Sequence, residues 1–229
     1  MKDKIIVTMT SYKGRINNVS RVIYSILNNS LKPHKVVINL SSDEFPDMLS
    51  ELPSDLLLLY NANLVEIYWV KENIKQFKKL IPTLERYPND IIISIDDDIY
   101  YPSNFIETIY NDYISNDRKN PVTCGYWKHK NYYFGEYSHH GSFSLVTFSM
   151  FANVLDEMKS VLANELWKHI WLDDPFYTYF LLKNNIKYIK SSFNGEQYKN
   201  GHFKNRGISY SNYNKVLIEH KFLKKLLWG

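Results

Sequence analysis

The stretch IIISIDDDIYYP, Ile91 to Pro102, decides how this chain is read. It opens as an apolar run of strand length and ends in consecutive acids, Asp96, Asp97 and Asp98. Adjacent carboxylates repel and are held together only where a cation or water comes between them. A strand apolar along its whole length belongs at the centre of a parallel sheet, so the acids are predicted at the strand's carboxyl end. Continued strand alternation pairs Asp96 with Asp98 on one side and points Asp97 elsewhere. A D-x-D pair of this kind suits magnesium or manganese, which take hard oxygen ligands and share them with phosphates. The same acids also fit a solvated turn or a helix N-cap cluster ahead of Ser103. Their place after an apolar strand is what favours a site.

The flanking sequence supplies the rest of the sheet. KIIVTMT is predicted as a first strand, closed by the turn SYKGR around Gly14. In NNVSRVIYSILNNS, Val19, Val22, Ile23, Ile26 and Leu27 recur at helical spacing. KVVINLS and LVEIYWV read as further strands, and KKLIPTLERYP as a helix with Pro82 in its first turn, where proline is tolerated. SNFIETIYNDYI places Phe105, Ile106, Ile109 and Tyr113 on one helical side. Alternating strand and helix predicts an α/β fold with a mostly parallel sheet covered on both faces. PVTCGYWKH and GSFSLVTFSMF read as later strands, and DPFYTYFLLKNN as a helix. In open α/β sheets ligands bind at the carboxyl ends of the strands. That rule puts the turn Thr10 to Arg15 and the acids of Asp96 to Asp98 on one rim.

Composition narrows the function classes. The chain has 229 residues, 45% of them hydrophobic, enough for one domain with a substantial core. A net charge of +4 is too mild for a concentrated nucleic-acid-binding face and compatible with phosphate-bearing small molecules. The single cysteine, Cys124, rules out an internal disulfide and fits a reducing compartment. The opening MKDKIIVTMTSY has too short an apolar run for a signal peptide, and no stretch reaches the roughly 20 apolar residues of a membrane span. The expectation is a soluble, cytoplasmic protein.

The segments VTMTSYKGR, LKPHKVVINLS, KKLIPTLERYP and IIISIDDDIYYP resemble the nucleotide-sugar half of a GT-A glycosyltransferase, closest to bacterial family-2-like enzymes of surface polysaccharide and lipopolysaccharide assembly. The resemblance covers the first half well and the second half loosely. It implies a three-layer α/β/α sandwich (GT-A-like, Rossmann-like), a donor half over 1–102, an acceptor and catalytic half over 103–214, and a C-terminal tail over 215–229. It also implies that Asp98 ligates a Mn2+ or Mg2+ ion bridging the donor diphosphate, and that Asp96 contacts the ribose or a metal-bound water. The turn with Thr10, Tyr12 and Arg15 would lie along base and ribose. This turn departs from the proline- or asparagine-rich form usual in that family, so which residues hold the base stays open. Lys78 or Lys79 would add charge beside the diphosphate, Lys78 being the one expected to sit in solvent. His202, in NGHFKN, is a further candidate metal ligand, although a lone histidine in such a loop is commonly just exposed.

An inverting transfer needs a base for the acceptor hydroxyl. WLDDPFYTYF offers Asp173 and Asp174, which resemble the acidic pair of family-2-like enzymes, with Asp174 matching its second member. Asp before Pro is equally a helix-opening pair. The implied partners are a nucleotide-diphosphate sugar and a glycan or lipid-linked acceptor, with no nucleic acid. The tail NKVLIEHKFLKKLLWG mixes apolar residues with lysines and suits peripheral contact with the inner face of an anionic membrane. A terminal helix packed on its own domain fits it equally. Two other readings remain: a nucleotidyltransferase or phosphohydrolase, and a non-catalytic carbohydrate-binding relative of the same fold.

Overall fold

The computed structural model describes residues 3–123, 126–128, 136–138, 143–163 and 173–193. His202, Trp171, Cys124, the paired His139 and His140, and the tail from Lys215 onward lie outside the described residues.

Apolar runs become strands and the 3.6-period segments become helices in the order the sequence suggested. The strands of the first half are β1 (Ile5–Thr10), β2 (Lys35–Ser41), β3 (Glu66–Val70) and β4 (Ile91–Ile95). Between and after them come helices α1 (Val19–Leu27), α2 (Ser54–Asn61), α3 (Ile81–Arg86) and α4 (Phe105–Ser115). The second half supplies β5 (Val122–Thr123), β6 (Tyr126–Lys128), β7 (Glu136–Ser138), β8 (Phe143–Thr147), α5 (Leu155–Ala163), α6 (Asp173–Lys183) and β9 (Ile189–Lys190). The main sheet has the order β3-β2-β1-β4-β8-β5-β9. Its pairings are parallel except where β8 meets β4 and β5, so β8 runs against the other strands of this sheet. The fold is a mostly parallel α/β sheet flanked by helices.

Each residue of β4 is buried, as are Ile5 to Met9 of β1. The expected helix face of Phe105, Ile106, Ile109 and Tyr113 is buried in the core. Several details differ from the sequence reading, which has no element at α5, β7 or β9. β4 lies between a parallel and an antiparallel neighbour, not within a wholly parallel sheet. PVTCGYWKH divides, Val122–Thr123 joining the main sheet and Tyr126–Lys128 pairing with β7 in a separate ribbon. Helix α2 was not anticipated, because the consecutive leucines Leu56 to Leu59 carry no 3.6-residue period. The helix buries only Leu56 and Leu59 fully and leaves Leu58 facing solvent.

The order 3-2-1-4 makes the junction of β1 and β4 the point where chain connections diverge to either side, the crevice of such sheets. A buried polar knot stiffens it from below. Thr8 Oγ1 donates to the Lys79 carbonyl at 2.7 Å and lies 2.8 Å from Thr83 Oγ1. Asn39 Nδ2 donates to both hydroxyls, at 2.9 and 3.0 Å. β1, β2 and the segment entering α3 are thus stitched together under Lys79. Asn39→Ala leaves these hydroxyls underbonded inside the core. It should cost about 2 kcal/mol, read as a lowered urea midpoint at unchanged m-value.

Candidate functional site

Strand β4 ends at Ile95, and Asp97 and Asp98 already belong to the following turn. Strand alternation therefore stops before the acids, and their pairing is set by the turn instead. Asp97 is the buried member. Its Oδ2 accepts from Ser11 Oγ at 2.6 Å and its Oδ1 from Arg15 Nη1 at 2.7 Å. The same Arg15 Nη1 lies 3.1 Å from Asp98 Oδ2. One guanidinium thus binds Asp97 and Asp98 together, while Asp96 is turned to Lys79 at 3.2 Å. The sequence-based expectation that Asp97 stands apart is corrected in this respect: Asp97 is the anchor between the β1 turn and the β4 turn. Tyr101, later in the same quoted stretch, receives the backbone N–H of Asp96 on its hydroxyl at 3.0 Å and packs on Phe105 at 4.4 Å. Sequence reasoning passed over it, since an aromatic next to Pro102 carries no signal of such a contact.

The β1 turn is built to present Arg15. Backbone N–H groups of Arg15 and Ile16 both donate to the Tyr12 carbonyl at 2.9 Å. A Cβ at Gly14 would stand 2.5 Å from Cε2 of the Tyr12 ring, which folds back over the turn, so a larger residue there would push this exposed ring aside. The Arg15 guanidinium sits 5.7 Å from the centroid of that ring, whose face attracts a cation. Tyr12 itself is exposed. Thr10 is tied down at the rim by donating to the Asn39 carbonyl at 2.7 Å.

Lys79 joins the two halves of the chain. Its ammonium is buried and lies 2.7 Å from Asp173 Oδ2 as well as 3.2 Å from Asp96 Oδ1. Asp173 and Asp174 occupy the first turn of α6, both buried, where a helix favours negative charge. Aromatic packing puts them there. Phe77, in the turn carrying Lys79, meets Phe176 at 4.8 Å and Tyr177 at 6.0 Å. Phe176 packs in turn on Phe180 at 4.9 Å. Lys78, expected in solvent, is also buried, 2% exposed. The Lys75–Lys79 turn is pinned between β1 and α6, which leaves neither lysine a route outward.

The electrostatics follow from burial and crowding. Burial opposes charge on Lys79, yet Asp173 and then Asp96 hold its pKa well above the ordinary lysine value. Burial pushes Asp96 up to about 7; Lys79 pulls it down, and Asp173, Asp98 and Asp97 push it back up. Burial also raises Asp97, against the pull of Arg15 and Ser11. Arg15 is raised because Asp97 and Asp98 outweigh its own burial. Among the described residues, the carboxylates of Asp96, Asp97, Asp98, Asp173 and Asp174 thus act on two cations, Arg15 and Lys79. Negative charge is in excess, and the donors are hard oxygens, the set a divalent cation takes. No group of three or more His, Cys, Asp or Glu side chains is arranged as a metal cage among the described residues. No described helix is long and apolar enough to cross a membrane.

No protein-family profile matches this chain, and no curated protein does. Solved structures do. A cytidylyltransferase from Leptospira borgpetersenii overlaps 83% of this chain and 75% of its own, at a TM-score of 0.51 and 13% identity. The 4-diphosphocytidyl-2C-methyl-D-erythritol synthase of Anaerococcus prevotii overlaps 97% and 96%, at a TM-score of 0.50 and 12% identity. Staphylococcus aureus TarS 1-349, solved with UDP, gives a looser overlap: TM-score 0.47, 9% identity, 72% of this chain and 54% of that one. The likeness is one of fold.

Removing Lys79 leaves Asp96 and Asp173 facing each other without their shared counter-ion. Lys79→Met should lower stability by about 3–5 kcal/mol, the usual cost of stranding a buried charge. Adding Asp173→Asn should recover part of that loss, which a double-mutant cycle by denaturant unfolding measures.

Proposed function

We propose that the chain is a glycosyltransferase that moves a sugar from a nucleoside-diphosphate donor to a hydroxyl of a glycan or lipid-linked acceptor, with inversion, in bacterial surface polysaccharide assembly. The observation that carries this reading is the meeting, across Lys79, of the β4-end acids with the first-turn acids of α6. Sugar transfer of this kind needs a cation-binding donor edge and a separate carboxylate for the acceptor, and the two acidic segments supply both.

Asp98 and Asp96 are the residues that would hold Mn2+ or Mg2+, with His202 a further candidate outside the described residues. The excess of negative charge and the oxygen donor set both fit such an ion. A divalent cation bound there supplies positive charge against the diphosphate that departs. Arg15, held by Asp97 against the turn, orients Asp98 and lies beside the exposed ring of Tyr12, a surface suited to a base or ribose. Thr10 borders the same edge. Lys79 positions Asp96 from beneath. The proton of the acceptor hydroxyl is assigned to Asp174, the second acid of the pair, which like Asp173 is buried in the first turn of α6.

Two substitutions test the assignment. Asp98→Asn leaves the Arg15–Asp97 pair in place and should weaken manganese-dependent binding of a nucleoside diphosphate at least about tenfold by calorimetry, with the unfolding midpoint little changed. Asp174→Asn should retain nucleotide binding and lower turnover of an activated sugar by about 10²–10⁴. Full activity in either variant sinks the corresponding role. Release of pyrophosphate from a nucleoside triphosphate, in place of sugar transfer, moves the reading to nucleotidyl transfer.

A further inference from the structure

A second charged cluster lies at the same sheet edge, away from the acids of β4. Lys78 is buried, and its Nζ donates to Asn73 Oδ1 at 2.5 Å. It also lies 3.8 Å from Glu44 Oε2. Asn73 closes the triangle by donating from Nδ2 to the same Glu44 oxygen at 3.4 Å. Each partner in turn fixes backbone. Asn73 Oδ1 accepts from the N–H of Lys75, a residue with positive φ (51°) that opens the turn carrying Lys78 and Lys79. Glu44 Oε1 accepts from the N–H of Lys13, in the turn that presents Tyr12 and Arg15. Lys13 belongs to the loop after β1, Glu44 to the loop after β2 and Asn73 to the loop after β3. One ammonium therefore gathers the carboxyl ends of three adjacent strands.

We propose that Lys78 is a positioning residue whose buried charge clamps the loops after β1, β2 and β3 into the donor-binding rim, and that the rim loosens when this charge is lost. Its role in donor binding rests on the glycosyltransferase reading; the clamp itself does not. A lysine in the apolar interior is costly to keep charged, and a neutral hydrogen-bonding residue would serve if the site were only packing. The charge has a specific use here, because Glu44 is an anion that must be held inward for the Lys13 N–H to find it.

The titration of Lys78 makes the clamp measurable. Burial depresses its pKa to about 8, against the opposing effect of Glu44 and Asp43 on the β2 loop. Two neighbouring cations face elsewhere: Lys13 Nζ pairs with Glu51 at 2.5 Å, and Lys79 turns away to Asp96 and Asp173. The ammonium is thus lost as pH rises through about 8. Global stability has the opposite sign. A lysine whose folded pKa lies below its unfolded value costs stability while charged, in full below about pH 8, and that cost eases toward the unfolded value of 10.5. Loosening of the rim above pH 8 without a parallel fall in global stability is therefore specific to the clamp.

The experiment follows amide hydrogen exchange at Lys13 and Lys75, corrected for intrinsic rate, and the Kd of UDP with manganese, between pH 6.5 and 9, as about the range that brackets the transition. Wild type, Lys78→Met, Lys78→Arg and Glu44→Gln are compared. Wild type should lose protection at both amides and about tenfold in UDP affinity as pH passes 8, the scale of one charge-assisted hydrogen bond. Lys78→Met should show the loosened state at every pH, and Lys78→Arg the ordered state throughout. Glu44→Gln should shift the Lys75 and affinity transitions to lower pH, because it removes the anion that supports the ammonium. Wild-type protection at Lys13 and Lys75 in Lys78→Met overturns the clamp, whatever UDP does. UDP affinity that ignores both pH and Lys78→Met, with protection lost, overturns its role in donor binding. No UDP binding by any variant, with protection lost in Lys78→Met, refutes the donor-site reading and upholds the clamp.

Discussion

The buried ammonium of Lys79 is the constraint on which the site depends. It lies against Asp96 at the end of β4 and against Asp173 in the first turn of α6, residues far apart in the chain. Asp173 could not be buried beside Asp96 without it, because desolvation and mutual repulsion both disfavour the second charge. Lys79 is held in turn by packing that carries no charge. Thr8 takes its backbone carbonyl from below, and Phe77 beside it docks on Phe176 and Tyr177. The apolar contacts determine where the ion cluster forms, and the ion cluster determines which parts of the second half face the acidic end of β4.

Arg15 does for the first turn what Lys79 does for the helix. It crosses from β1 to β4 and binds Asp97 and Asp98 at once, with Ser11 holding the far oxygen of Asp97. The result is a rim with two cations set into an acidic edge and a surplus of negative charge. Such a surplus is unfavourable in isolation and is relieved by an added cation. Lys78 adds a third device at the β1, β2 and β3 end of the same rim, where Glu44 and Asn73 converge on it.

Much of the fold was legible because its signals are local. Apolar runs of strand length, a 3.6-residue period in Val19 to Leu27 and the early Pro82 each act over a few residues, and the elements appear where those patterns lie. Helix α2 was not legible, since consecutive leucines satisfy no single period. The acids of Asp96 to Asp98 and the pair Asp173–Asp174 could be located at strand and helix ends from sequence. Their partners could not. Asp97 was set aside by an alternation rule that holds within a strand, and the strand ends before it.

Lysine burial shows the boundary most clearly. Lys78 and Lys79 are adjacent, identical and followed by the same helix, and nothing in the local sequence separates them. By itself the sequence determined the elements whose signals are local, β1 to β4 with α1, α3, α4 and α6, together with the rim at which the acids and the first turn meet and the chemistry that the acids offer. Only the tertiary structure decided that both lysines are enclosed, that one faces Asp96 and Asp173 while the other faces Glu44 and Asn73, and that Arg15 spans Asp97 and Asp98. The reason is physical: the energy of a charge depends on what surrounds it within a few ångströms, and here those surroundings come from segments distant in the chain.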